Sequence, residues 1–339
     1  MCTYKMDSIF ISIAACKEEF LAQTIKSAIS NAKNPELLYF GICNMVIDDE
    51  DFLSDPIFDL PNVNLLEMKY KEPLGTGFGR MSASLMFDRE HRYLFQIDAH
   101  TIFENNWDVI VKEYYNELLK ICDKPIITSS TQMWAESSDK KVMLFDDDSL
   151  VVDPYDFKTD FNNPTLGIME NKDLNGNNII GLFNHYAFIE GKHHDWKDNE
   201  FFHEHGLIFA ACMFTDFSMT REVMHDPLNT WDGDQTNMSL RAASRGYRMF
   251  AVKKAFVWSK NKMRQGKLIS DYDWRVPEIQ KLRLAYHIFS TKFQIDMFNG
   301  NYFGYWGSKD LQSLNKFAKK INFDFSSIFK KGNARHRLD

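Results

Sequence analysis

Four short apolar runs, parted by stretches of helical spacing or by polar turns, constrain this chain more than any other feature. They lie at residues 8–14 (SIFISIA), 38–45 (LYFGICNM), 63–69 (VNLLEMK) and 93–97 (YLFQI). After the first run, Phe20, Leu21, Ile25, Ala28 and Ile29 share one face at a 3.6-residue period, which predicts a helix. Helical patterns also occupy residues 77–87 and 107–121. Strands that alternate with helices are joined by crossovers, and crossovers make parallel neighbours. The expected fold class is therefore α/β, a mostly parallel central sheet with helices on both faces. Ligands in such sheets bind at the carboxyl ends of the strands.

Residues 135–205 are polar and rich in Asp and Asn, with weak strand runs only at 142–145 and 179–183. Loops and an antiparallel insertion are expected there. Regular patterns return with a strand at 206–215, a helix at 234–245 and a strand at 248–257. The expected organisation is one α/β domain over residues 1–259, followed by a mainly helical extension over 260–339. That extension carries sixteen Lys and Arg against seven Asp and Glu, although the whole chain has a formal charge of -7. So uneven a distribution gives the extension a basic surface suited to an anionic partner. With 29 Phe and 13 Tyr the chain is too apolar to be disordered. Five scattered cysteines suggest neither a disulfide framework nor a zinc site. No run reaches the roughly 18 apolar residues of a membrane span, so the chain reads as soluble and cytoplasmic.

The fourth run ends on Asp98-Ala99-His100. An acid and an imidazole two residues apart on a strand point to one side and can share a divalent cation. A cation that neutralises a diphosphate has to favour oxygen, which selects Mn2+ or Mg2+.

The blocks Ile11-Ser12-Ile13-Ala14, Ala32-Lys33-Asn34-Pro35-Glu36, Phe40-Gly41-Ile42-Cys43, Gln96-Ile97-Asp98-Ala99-His100 and Asn106-Trp107-Asp108 follow in order. Together with Trp231-Asp232-Gly233-Asp234-Gln235, Leu240-Arg241 and Gly246-Tyr247, this series resembles the cytoplasmic hydroxyproline N-acetylglucosaminyltransferase family. More distantly it is similar to the polypeptide N-acetylgalactosaminyltransferases. The resemblance implies a Rossmann-like, nucleotide-sugar-binding domain of GT-A type and a metal-dependent hexosyl- or pentosyltransferase, with Asp98 and His100 on the metal. It further implies a site for a uridine-linked donor, built from Ala14, Ala15 and Lys17 at the end of the first strand. Arg80 and Ser84 on the following helix, and the small pair Ala210 and Ala211, would complete that site. Asp234, helped by Asp232, would meet the acceptor hydroxyl or act as general base. The family's third metal ligand is a His near Trp258-Ser259, and this sequence has none there; His203, His205, His193 and His194 are the replacements the sequence offers.

Two acceptors are expected on different grounds. The basic extension interleaves its cations with Tyr302, Phe303, Tyr305, Trp306, Phe317 and Phe323, a pattern that can bind DNA phosphates and stack on bases. The Lys-, Asn- and Phe-rich composition of the whole chain suits an AT-rich bacteriophage or viral genome, whose product would act in the host cytoplasm. The acceptor would then be a hydroxymethylated pyrimidine in DNA. The family resemblance points instead to a protein hydroxyl, on Ser, Thr or hydroxyproline, with the 135–205 insertion on the acceptor side. The alternative to an enzyme is a catalytically inactive chain that binds nucleotide sugars or nucleic acid.

Overall fold

Alternation within the first strand decides how the layers form. In a computed structural model of the chain, β1 (Met6–Cys16) turns Ile9, Ile11 and Ile13 to one face of a sheet and Phe10 and Ser12 to the other, all fully buried. A strand apolar on one side and mixed but buried on the other requires cover on both. The structure describes residues 6–16, 18–46, 53–69, 75–88, 90–128, 132–136, 142–145, 166–172, 178–184, 201–206, 208–227, 234–260 and 304–320.

The first half follows the expected order: α1 (Leu21–Asn31), β2 (Leu38–Val46), β3 (Val63–Lys69), α2 (Thr76–Ser84), β4 (His91–Asp98), β5 (Thr101–Phe103) and α3 (Trp107–Leu119). Next come β6 (Pro125–Thr128), β7 (Gln132–Glu136), β8 (Val142–Phe145), the antiparallel pair β9 (Leu166–Lys172) and β10 (Asn178–Asn184), and β11 (Phe202–His205). The strands expected inside the polar insertion are therefore present. Last are β12 (Cys212–Asp216), α4 (Met219–Glu222), α5 (Asp234–Ser244), β13 (Arg248–Val252), β14 (Val257–Lys260) and α6 (Leu311–Lys320).

Eight strands form the main sheet in the order β11-β13-β6-β12-β4-β1-β2-β3. Pairing is parallel for β1 with β2 and β4, β2 with β3, and β13 with β6; β12 and β11 run antiparallel to their neighbours. The sheet is thus mostly parallel and mixed, as an α/β domain requires. One face packs Leu21, Ile25 and Ala28 of α1 and Trp107, Val111 and Leu118 of α3 on the Ile side of β1. The other gathers Phe10, Phe217, Met238 and Met249.

Two expected strands differ from the structure. The run 206–215 forms a strand only from Cys212, because Cys212 N–H bonds back to Phe209 O and closes a turn through Ala210 and Ala211. The run 248–257 breaks at Lys253-Lys254, and its end becomes β14 in a second sheet, β5-β14-β7-β8. A long apolar run does not reveal such a change of sheet, since both halves are buried.

Two of the sequence blocks meet in the scaffold. The buried Asp108 carboxylate accepts N–H bonds from Lys33 and Asn34 at 2.8 and 3.0 Å. Trp107 Nε1 donates to Ala28 O at 2.9 Å. They lock α3 to α1 and build no open site.

Candidate functional site

Asp98 closes β4, and the following turn carries Ala99 and His100 into β5. Thr24 of α1 holds this turn: its Oγ1 donates to Ala99 O and accepts from Thr101 N, both at 2.9 Å. From the other side, Lys260 N–H at the end of β14 donates to His100 O at 3.0 Å.

The side chains then have little freedom. Glu18, 5 % exposed, bonds His100 Nδ1 through Oε2 at 3.0 Å. A carboxylate accepts, so Nδ1 carries the proton and the Nε2 lone pair stays available, the tautomer a metal ligand needs. Nε2 lies 3.8 Å from Asp98 Oδ2. The other oxygen, Oδ1, takes Arg80 Nη2 at 3.3 Å. One Asp98 oxygen and one His100 nitrogen therefore face a common point, a separation that suits two ligands of one divalent ion. Among the described residues no third His, Cys, Asp or Glu joins them, so the set fits a cation that draws its remaining ligands from a diphosphate and water. His203 and His205 do not supply one. Their strand β11 is at the far edge, four strand spacings or about 19 Å from β4, and the sequence, which shows no strand order, cannot reveal this. His193 and His194, like Lys17 and Asp232, lie outside the described residues.

Arg80 reaches the site because α2 packs unusually close to the sheet. A Cβ on Gly79 would stand 2.9 Å from Met45 Cε and 3.1 Å from Ala14 Cβ; one on Gly41 would stand 2.4 Å from Ala83 O. Ser84 is buried beneath this helix, 3.0 Å from Ser12 Oγ. It fastens α2 to β1.

Arg80 Nη1 donates to Asp234 Oδ2 at 2.5 Å. The Asp234 side chain is 1 % exposed and its Oδ1 accepts Gln235 N–H at 2.8 Å. Both Asp234 oxygens are thus hydrogen-bonded and buried. This carboxylate anchors Arg80.

The register places the remaining residues expected at the donor site. Ala14 pairs with Asp98 across β1 and β4, with Ala15 beyond it. Cys212 pairs with Ile97 in the antiparallel direction, which sets Ala211 beside Asp98. Ala210 and Ala211 are buried. Asp98, His100, Arg80, Ala14, Ala15, Ala210 and Ala211 are thus brought to one place, at the carboxyl end of the central strands. Glu18, Gln96 and His225 belong to it and were not legible; their partners lie 82 and 129 residues away in the chain.

A family model described as Glycosyltransferase (GlcNAc) matches residues 8–57 and 49–284. The chain belongs to this glycosyltransferase family. Among solved structures, the glycosyltransferase is similar to GalNAc-T7 crystallised with UDP, GalNAc and Mn2+, at 12 % identity and a TM-score of 0.48, covering 96 % of this chain and 56 % of that one. It is also similar to S. aureus TarS, at 9 % identity and 0.45, covering 93 % and 43 %. For TarS 1-349 the values are 7 % and 0.41, covering 96 % and 92 %. The chain thus spans little more than half the length of the first of these. No curated protein matches by sequence. Among the described residues no helix is long and apolar enough to cross a membrane.

Proposed function

We propose that this glycosyltransferase moves a sugar from a nucleotide diphosphate, uridine-linked, to an acceptor hydroxyl. The observation that carries this reading is the convergence of Asp98, His100, Glu18 and Arg80 at the carboxyl end of the central strands. Asp98 and His100 would hold Mn2+ or Mg2+, whose charge when bound stabilises the departing nucleotide diphosphate. Glu18 keeps the His100 lone pair presented. Arg80 offers a guanidinium, held by Asp234, to phosphate oxygens. Ala14 and Ala15 let the nucleoside approach the strand end, with Lys17 two residues further along the chain, and Ala210 and Ala211 leave space for the sugar. Asp234, helped by Asp232, is the acid for the acceptor side.

Thermal melting with uridine diphosphate and its sugars, with and without Mn2+, tests this. A metal-dependent rise in melting temperature, lost in Asp98→Ala, is expected because ligands that bind only the folded state stabilise it. Donor hydrolysis in Mn2+ separates an enzyme from an inactive binding protein, which gives none.

For the acceptor we favour a hydroxymethylated pyrimidine in DNA. Supporting it, α6 exposes Lys316 and Lys319 while burying Leu314 and Phe317, and Arg245, Arg248, Lys309 and Lys316 line a cleft of about 460 Å³ beside it. The aromatic part of the expectation needs correction: Phe317 packs inward and Trp306 lies against Arg241 at 5.6 Å, so neither is free to stack on a base. Tyr302, Phe303 and Phe323 lie outside the described residues. Duplex binding that weakens steeply with salt supports DNA; indifference to DNA supports a protein hydroxyl.

A further inference from the structure

Gln96 lies two residues before Asp98 on β4, so both side chains leave the same face of the sheet. Gln96 Nε2 donates to Ala210 O at 2.9 Å. A carbonyl only accepts, so the amide oxygen of Gln96 points the other way, where His225 Nε2 meets it at 2.6 Å. His225 therefore carries its proton on Nε2. Its Nδ1 lies 3.9 Å from Asp234 Oδ2 and has no hydrogen-bond partner among the described residues. Burial, then the charges of Arg80 and Arg241, hold its pKa well below the usual histidine value, in agreement with a neutral ring.

All the groups in this chain of contacts are buried, and each has few alternatives. Gln96 and Ala210 are fully buried and His225 is 2 % exposed. A buried amide whose oxygen loses its donor must turn or find water, and turning it releases Ala210 O. Ala210 belongs to the turn that register sets beside Asp98.

We propose that His225 is a positioning residue which, through Gln96, sets the Ala210–Ala211 turn against Asp98 and thereby places the donor sugar. The inference rests on the reading of that turn as the wall of the sugar pocket. It assigns the larger effect of His225 to the sugar; the diphosphate is held by Arg80 and the Asp98 motif, which His225 approaches only through the Asp234 carboxylate, 3.9 Å from its Nδ1. A residue that only stabilised the fold would weaken both equally.

Calorimetric titration with Mn2+ compares UDP with whichever of UDP-GlcNAc, UDP-GalNAc and UDP-glucose the wild-type chain binds most tightly. His225→Phe is expected to weaken the nucleotide sugar about tenfold, the worth of one buried hydrogen bond. UDP should change less, by about twofold, because His225 Nδ1 makes no hydrogen bond to the Asp234 carboxylate that holds Arg80. His225→Gln, which keeps an N–H donor, should recover part of the loss. If His225→Phe does not fold, Gln96→Met, which removes the amide, reads the same ratio. Equal losses for both compounds, or no loss for either, overturn the inference. A wild-type chain that binds neither compound overturns the donor reading itself.

Discussion

At the scale of single residues, three side chains have consequences that can be measured. Glu18 fixes the His100 tautomer from outside the set of ligands, and such supporting groups typically govern metal affinity by about 10- to 100-fold. Glu18→Gln is expected to weaken Mn2+ binding by that order, read by titrating the metal in the presence of UDP. Arg80 lies between two carboxylates, one of them fully buried. Arg80→Met takes the guanidinium away from the buried Asp234 carboxylate, at a cost of about 3 kcal/mol, measurable by urea unfolding. His225 is neutral when folded, with its pKa depressed from 6.5, whereas the unfolded chain protonates it normally. The unfolded state then binds more protons at acid pH. Stability is therefore full above about pH 6.5 and falls as pH drops below it, and His225→Phe should flatten that part of the profile. Cys43 is silent by the same logic: burial raises its thiol to about 11, so it stays protonated and unreactive at neutral pH.

At the scale of elements, the contact of α2 with the sheet is the tightest constraint on the site. Ala83 O leaves no room for a Cβ on Gly41, whereas Gly79 faces the flexible tip of Met45. Gly41→Ala should cost about 2 kcal/mol or more and Gly79→Ala less, since a thioether moves more easily than a backbone oxygen. Both are read by equilibrium unfolding. The early elements were legible because period and length agree: β3 has its expected bounds, and α1 buries Leu21, Ile25 and Ala28. The strand ends near residues 212 and 252 were not: a turn through small buried residues leaves the first apolar run unbroken, and Lys253-Lys254 interrupts the second without showing that the chain changes sheet. Within the site, Asp98 and His100 stand out in the sequence as an acid and an imidazole two residues apart at the end of one apolar run. Asp234 as an anchor does not, because its commitment to Arg80 spans 154 positions. The Ala32–Glu36 and Asn106–Asp108 blocks mark the family through scaffold contacts, so recognising them identified the fold more than the chemistry.

Across the whole molecule, a mixed sheet brings to one edge groups drawn from residues 14 to 260 of the chain, and this makes the site depend on global folding. The basic extension adds to that dependence: Arg245 donates to the carbonyls of Gly304 and Gly307, and Lys309 N–H bonds Ser244 Oγ. Removing residues 304–320 should therefore lower the melting temperature as well as any affinity for DNA, and calorimetry on the truncated chain reads the first effect separately. The pairing of Arg80 with both Asp98 and Asp234 has a further meaning. Without ligand, the guanidinium already has its counter-ions, so arrival of a diphosphate with its cation is an exchange of partners that leaves the local charge count nearly constant. Binding of the complete pair should then be nearly insensitive to ionic strength, whereas UDP added without the cation, which must compete with Asp98 for Arg80, should bind weakly and be driven off by modest salt.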